Sequence, residues 1–259
     1  MSGLAWYELS STSNSKPDFS RTLEIVAAVL KQDSSNTYFS NFLPSLDDEP
    51  DKKRWWQFYE SKFVSLSECD WQNLVSKVVP RFLKNDPIRK WQTAIDLLNE
   101  SIAYDYFVSL GCLDVYLVPE AEHKTPDLSF RAGTVEITCE VKTLNRSEES
   151  IHSDGGRHAF TIEDQLSENF LDGKFMNTIN DNLLKFEAFE NTKKLYFFVM
   201  NFDDRLHEYA DRYLKQIEQF LGNKSIPVDG LIFFDNSTVW RDEALVFEWP
   251  KGLRHLPLA

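Results

Sequence analysis

In 125-TPDLSFRAGTVEITCEVK-142 the residues from Thr134 to Lys142 alternate polar and apolar without a break. Successive side chains of a strand point to opposite faces. Val135, Ile137, Cys139 and Val141 therefore make one face, and Thr134, Glu136, Thr138, Glu140 and Lys142 the other. The short Arg131-Ala132-Gly133 link lets 127–130 pair with 134–142 as a hairpin. Such a hairpin returns Asp127 toward the strand end that carries Glu140 and Lys142, so two carboxylates and an ammonium converge. Pro126 cannot donate to a ladder and suits the start of a strand, where it fixes the backbone just ahead of Asp127. A Glu-x-Lys pair on a solvated strand is also an ordinary surface feature of small energetic worth, and the triplet alone leaves both readings open.

Outward from this hairpin the chain changes character. Ahead of it, Trp55, Phe58 and Tyr59, then Trp71, Leu74, Val75 and Val78, then the run Arg89–Leu110 recur at helical spacing. A first helical pattern lies near 21–31. Residues 1–20 and the acidic break Asp47-Asp48-Glu49-Pro50-Asp51 read as loops. From Leu113 onward the pattern is strands at 113–118, 127–130, 134–142, 194–200, 229–235 and 244–249, with helical stretches near 162–189 and 205–221. The continuous apolar runs at 195–200 and 231–234 predict strands covered on both faces, and the intervening helices suit crossover connections. This is α/β or α+β organisation.

A third carboxylate comes from 89-RKWQTAIDLLNESIAYDYFVSLG-111. Glu100, Ala103 and Phe107 share one helical face there, with Gly111 in the C′ position. An ordinary glutamate on an amphipathic helix has the same pattern.

The chain as a whole narrows the function classes. Its 259 residues are 42% hydrophobic and 27% charged, which is globular composition with room for a full core. No apolar run reaches the length of a membrane span and no secretory leader is visible, so the expectation is a soluble, cytoplasmic protein without a membrane partner. Cys69, Cys112 and Cys139 have no metal or disulfide spacing. A formal charge of −13 repels polyanions at long range but attracts divalent cations, so nucleic-acid contact has to be local.

Glu100 on a helix, then Pro126-Asp127, then Glu140-Val141-Lys142 resemble, in order, spacing and placement, the PD-(D/E)xK nuclease superfamily over residues 95–200. The resemblance implies an α/β restriction-endonuclease-like core, a central mixed sheet flanked by helices, at 91–259, with a helical N-terminal extension at 1–90. It further implies a Mg²⁺-dependent endonuclease, with Mn²⁺ as a substitute, acting on nucleic acid, DNA before RNA. By resemblance, Asp127, Glu140 and the Val141 carbonyl bind the ion. Lys142 orients or deprotonates the attacking water, and Glu100 holds that water or a second ion. Members of the superfamily also carry a polar residue on the helix after this strand, for which Gln165, Asn182 and Lys185 are candidates.

Nucleic-acid contacts are sought in two places. Arg146, Arg157 and His158 flank the glycine-bearing segment 145-NRSEESIHSDGGRH-158, and Arg81, Lys84, Arg89 and Lys90 form a basic strip in an otherwise acidic chain. Trp55, Trp56 and Trp71, with Lys52, Lys53 and Arg54 alongside, could stack bases, although helical spacing favours a core role. Histidine pairs at metal spacing and phosphate-binding loops do not occur. The rival from another class is a non-catalytic binding or assembly module that keeps the fold and docks a protein partner; a homodimer is a further partner expectation.

Overall fold

A computed structural model of the chain describes residues 19–84, 91–121, 124–145, 166, 169–189, 191–201, 210–222, 226, 228–235 and 246–250. The chain divides into two compact units, Met1–Ser109 and Leu110–Ala259. The division expected at 90/91 thus differs from the observed one: the helix Gln92–Ser109 belongs with the helices, because it packs on two of them.

The first unit holds α1 (Ser20–Gln32), α2 (Phe42–Asp48), α3 (Pro50–Phe63), α4 (Glu68–Leu83) and α5 (Gln92–Ser109). The acidic stretch near 47–51 is not the loop its composition suggests. Asp47 and Asp48 end α2, and Pro50 opens α3 with Asp51 in its first turn. Proline at the first helical position loses no needed donor, and an acid there complements the helix dipole. Trp56, Tyr59, Phe63 and Trp71 are fully buried, so Trp56 and Trp71 are core residues rather than exposed base-stacking platforms. The N-terminus of α1 has no side-chain cap of its own. Its orphan amides are met instead by the buried Glu60 of α3. Arg21 N and Thr22 N donate to its two oxygens at 2.9 and 2.8 Å, joined by Ser20 Oγ at 3.1 Å and Thr22 Oγ1 at 2.7 Å.

The second unit is α/β. Six strands, β1 (Leu113–Leu117), β2 (Leu128–Ala132), β3 (Val135–Asn145), β4 (Lys193–Asn201), β5 (Gly230–Asp235) and β6 (Val246–Pro250), form one sheet in sequence order. The pairs β1–β2, β2–β3 and β5–β6 are antiparallel, whereas β3–β4 and β4–β5 are parallel. Ala132 pairs with Val135, so the hairpin closes on Gly133-Thr134, with Gly133 at φ 59° as a type II′ turn requires. The parallel pairs demand crossovers, supplied by segment 169–189 and by α7 (Ala210–Gly222).

Segment 169–189 is a broken helix rather than the continuous one its pattern suggests: a π turn (Asn169–Phe175), the six-residue α6 (Met176–Asp181) and a 3₁₀ turn (Leu183–Phe189). The break follows 180-NDN-182, where the Asn182 side chain donates to the Thr178 carbonyl at 2.7 Å and competes with helix continuation.

On one sheet face Leu144, Tyr196, Phe198, Met200, Leu231 and Phe233 pack with Phe175, Ile179, Phe186, Tyr213, Ile217 and Leu221 from the crossovers. On the other, Leu195, Phe197, Val199, Ile232 and Phe234 are also buried. The expectation that β4 and β5 are covered on both faces therefore holds.

Candidate functional site

The same register that builds the sheet builds a charged cluster. Leu128 pairs with Cys139, so Asp127, one residue before β2, stands level with Glu140. Its backbone is pinned on both sides: Asp127 N donates to the Cys139 carbonyl at 3.1 Å, and Val118 N donates to the Asp127 carbonyl at 2.9 Å. Its side chain turns inward, where Val141 N donates to Asp127 Oδ2 at 2.7 Å. Val141 thus meets Asp127 through its amide.

Glu140 overturns the solvated-strand reading of β3. Strict alternation predicts an exposed polar face, and Glu136 is indeed exposed, yet Thr138 and Glu140 are fully buried. The cause is the cover on that face, where Phe186 and the rest of the crossover segment pack beside Tyr196. Glu140 pairs in register with Tyr196, and Phe186 packs edge-on against that ring at 5.6 Å. Two ammonium groups meet the buried carboxylate. Lys142 Nζ contacts Glu140 Oε1, as does Lys185 Nζ at 2.5 Å. Lys185 Nζ also lies 3.5 Å from Asp127 Oδ1, so one ammonium bridges both carboxylates.

Lys185 reaches this position because its neighbour Phe186 is locked into the core beside Tyr196, while Lys185 N donates to the Asn182 carbonyl at 3.0 Å. The sequence offers Lys185, Gln165 and Asn182 as equal candidates. Asn182 spends its amide on Thr178, and Gln165 lies outside the described residues. The signal that could have singled out Lys185 is a cation next to an apolar residue in a turn after a helix stop.

The electrostatics are unbalanced at one atom. Glu140 Oε2 is buried and accepts no hydrogen bond, a costly arrangement for a carboxylate. Burial, with the neighbouring Asp127 charge, pushes the Glu140 carboxyl up to about 7, against the opposing pull of Lys142 and Lys185. Burial alone would lower Lys185, but Asp127 and Glu140 outweigh it and raise it. Tyr196, whose hydroxyl donates to the Ile179 carbonyl at 2.8 Å, is raised by burial and by the same two carboxylates. These perturbations gather on one cluster, as they do at functional sites.

The remaining candidates divide clearly. Glu100 is buried in the helical unit and pairs with Lys77 at 3.2 Å. Arg81 and Lys84 are exposed at the end of α4. Arg89, Lys90, Arg146, Arg157 and His158 lie outside the described residues. Among the described residues, no group of three or more His, Cys, Asp or Glu side chains gathers to hold a metal ion, so the acidic part of the cluster is the pair Asp127 and Glu140. No described helix is long and apolar enough to cross a membrane. Comparison of the chain with known protein families, with curated proteins and with solved structures finds no match.

Proposed function

We propose that this chain is a Mg²⁺-dependent nuclease of the PD-(D/E)xK kind, with Mn²⁺ as a substitute ion, built on a restriction-endonuclease-like core and hydrolysing phosphodiester bonds of DNA before RNA. One observation carries the reading. A fully buried carboxylate, Glu140, keeps one oxygen without a partner and shares a bridging cation with Asp127. A structural carboxylate gains nothing from such an arrangement, whereas a ligand to a hard cation needs a free oxygen. Two carboxylates suffice for Mg²⁺, which keeps several waters and commonly takes one or two protein carboxylates. The mixed sheet, with an antiparallel hairpin leading into parallel β3–β4–β5, supports the fold assignment.

In this reading Asp127 and Glu140 hold the ion, which supplies Lewis-acid polarisation of the scissile phosphate. The Val141 amide fixes the rotamer of Asp127. Lys142, partly exposed beside Glu140, orients the attacking water and offsets negative charge gathering on the phosphate as the water oxygen bonds to phosphorus and the P–O ester bond breaks. Glu100, buried in the helical unit on Lys77, has no part in this reading, and Arg81 and Lys84 enter it as contacts to the nucleic-acid backbone.

Incubating the purified protein with supercoiled plasmid, linear DNA and RNA, in Mg²⁺, Mn²⁺ or EDTA, tests the proposal. Cleavage that needs the divalent ion and is lost in Asp127→Asn supports it. Inertness on every substrate and ion, in a protein that melts cooperatively, counts against it and favours the docking module.

A further inference from the structure

Lys185 occupies the place between the two carboxylates that a shared divalent cation would need: its Nζ is 2.5 Å from Glu140 Oε1 and 3.5 Å from Asp127 Oδ1. With Lys142 also on Glu140, the cluster holds two carboxylates and two ammonium groups and is formally neutral. A divalent cation entering an already neutral cluster meets two positive charges at close range, where like-charge repulsion is strong. If Lys185 withdraws, Asp127 and Glu140 face the ion with only Lys142 as competitor. Its side chain is 18% exposed, and it sits on a short 3₁₀ turn flanked by the exposed Leu184 and Glu187, so a swing of its flexible stem toward water requires no rearrangement of the sheet.

We infer that Lys185 is a built-in counter-ion that holds Asp127 and Glu140 together in the metal-free protein and yields its place when Mg²⁺ binds. The inference rests on the metal-site reading above and assigns Lys185 a positioning role distinct from that of Lys142. A lysine serving only as a structural ion-pair partner would stay in place, and the ion would then have to bind beside it.

Acetylation of lysines under limiting reagent, read residue by residue by mass spectrometry, tests this on the wild-type protein with and without MgCl₂. Labelling of Lys185 should rise severalfold in Mg²⁺, with exposed lysines such as Lys31 and Lys84 serving as constant references. Calorimetric titration with MgCl₂ forms the second arm. Lys185→Met should bind Mg²⁺ about tenfold more tightly than wild type once the competing charge is gone, and Lys185→Arg should not. Lys185→Gln replaces the methionine variant if the latter does not melt cooperatively. Unchanged Lys185 labelling together with equal Mg²⁺ affinity in wild type and Lys185→Met would overturn the inference while leaving the metal site intact. Absence of Mg²⁺ binding in both proteins would overturn the site and the inference together.

Discussion

Glu60 in the helical unit and Glu140 in the sheet unit are both buried glutamates, and they are treated in opposite ways. Glu60 receives four hydrogen bonds from the first turn of α1, spread over both oxygens. Glu140 has two ammonium groups crowded on one oxygen and nothing on the other. Burial by itself therefore says little about a carboxylate's role. A carboxylate whose lone pairs are all used closes a piece of architecture, and the fold gains a helix cap. One left half-satisfied in the interior costs stability, and such a cost persists where it serves binding or chemistry.

The largest effect is expected in the sheet cluster. Lys142→Ala should lower metal-dependent cleavage by about 10²–10³, the usual loss for one electrostatic group at a reacting centre. It should change stability far less, since Lys185 still holds Glu140. Cleavage rates and melting curves measured side by side would show whether rate and stability separate.

Next in size is a pH effect. Because the folded-state carboxyl of Glu140 is raised from 4.5 to about 7, the native protein binds more protons than the unfolded chain between those values. The contribution of Glu140 to stability is therefore most favourable below about 4.5 and is lost as pH rises to about 7, by up to about 3 kcal/mol. Denaturant melts in EDTA across this range should show that slope in wild type, and Glu140→Gln should flatten it.

Glu60→Ala sharpens the contrast from the other side. It should cost about 2 kcal/mol by orphaning the amides of Arg21 and Thr22, and leave Mg²⁺ binding and cleavage per folded molecule unchanged. The smallest effect is expected at the surface. Arg81→Ala or Lys84→Ala should alter stability by less than about 0.5 kcal/mol while reducing the salt slope of nucleic-acid binding by about one.

The sheet unit was legible where local rules and tertiary packing agree. Period-two alternation and Gly133 define the hairpin, and the apolar runs of β4 and β5 require cover on both faces. Legibility failed where packing overrides the local pattern. The alternation of β3 describes a strand with one wet face, and only tertiary packing on that face, Thr192 at Thr138 and Phe186 beside Tyr196 at Glu140, puts Thr138 and Glu140 out of solvent. Lys185 could not be distinguished from Gln165 and Asn182, because a helix that breaks at Asn182 resets which side chains turn inward. The pairing of Asp127 with Glu140 was readable from turn length; the ammonium between them was not. In the helical unit, Pro50 inside an acidic run reads as a loop until its place at the first position of α3 is seen.

The central claim is that the unfinished carboxylate is a cation ligand and the finished one is not. Titration calorimetry with MgCl₂ on wild type, Glu140→Gln and Glu60→Gln, each first shown to melt cooperatively, puts this directly. The account predicts one Mg²⁺ site in wild type, lost in Glu140→Gln and retained in Glu60→Gln; Mg²⁺ binding of equal affinity in wild type and Glu140→Gln would contradict it.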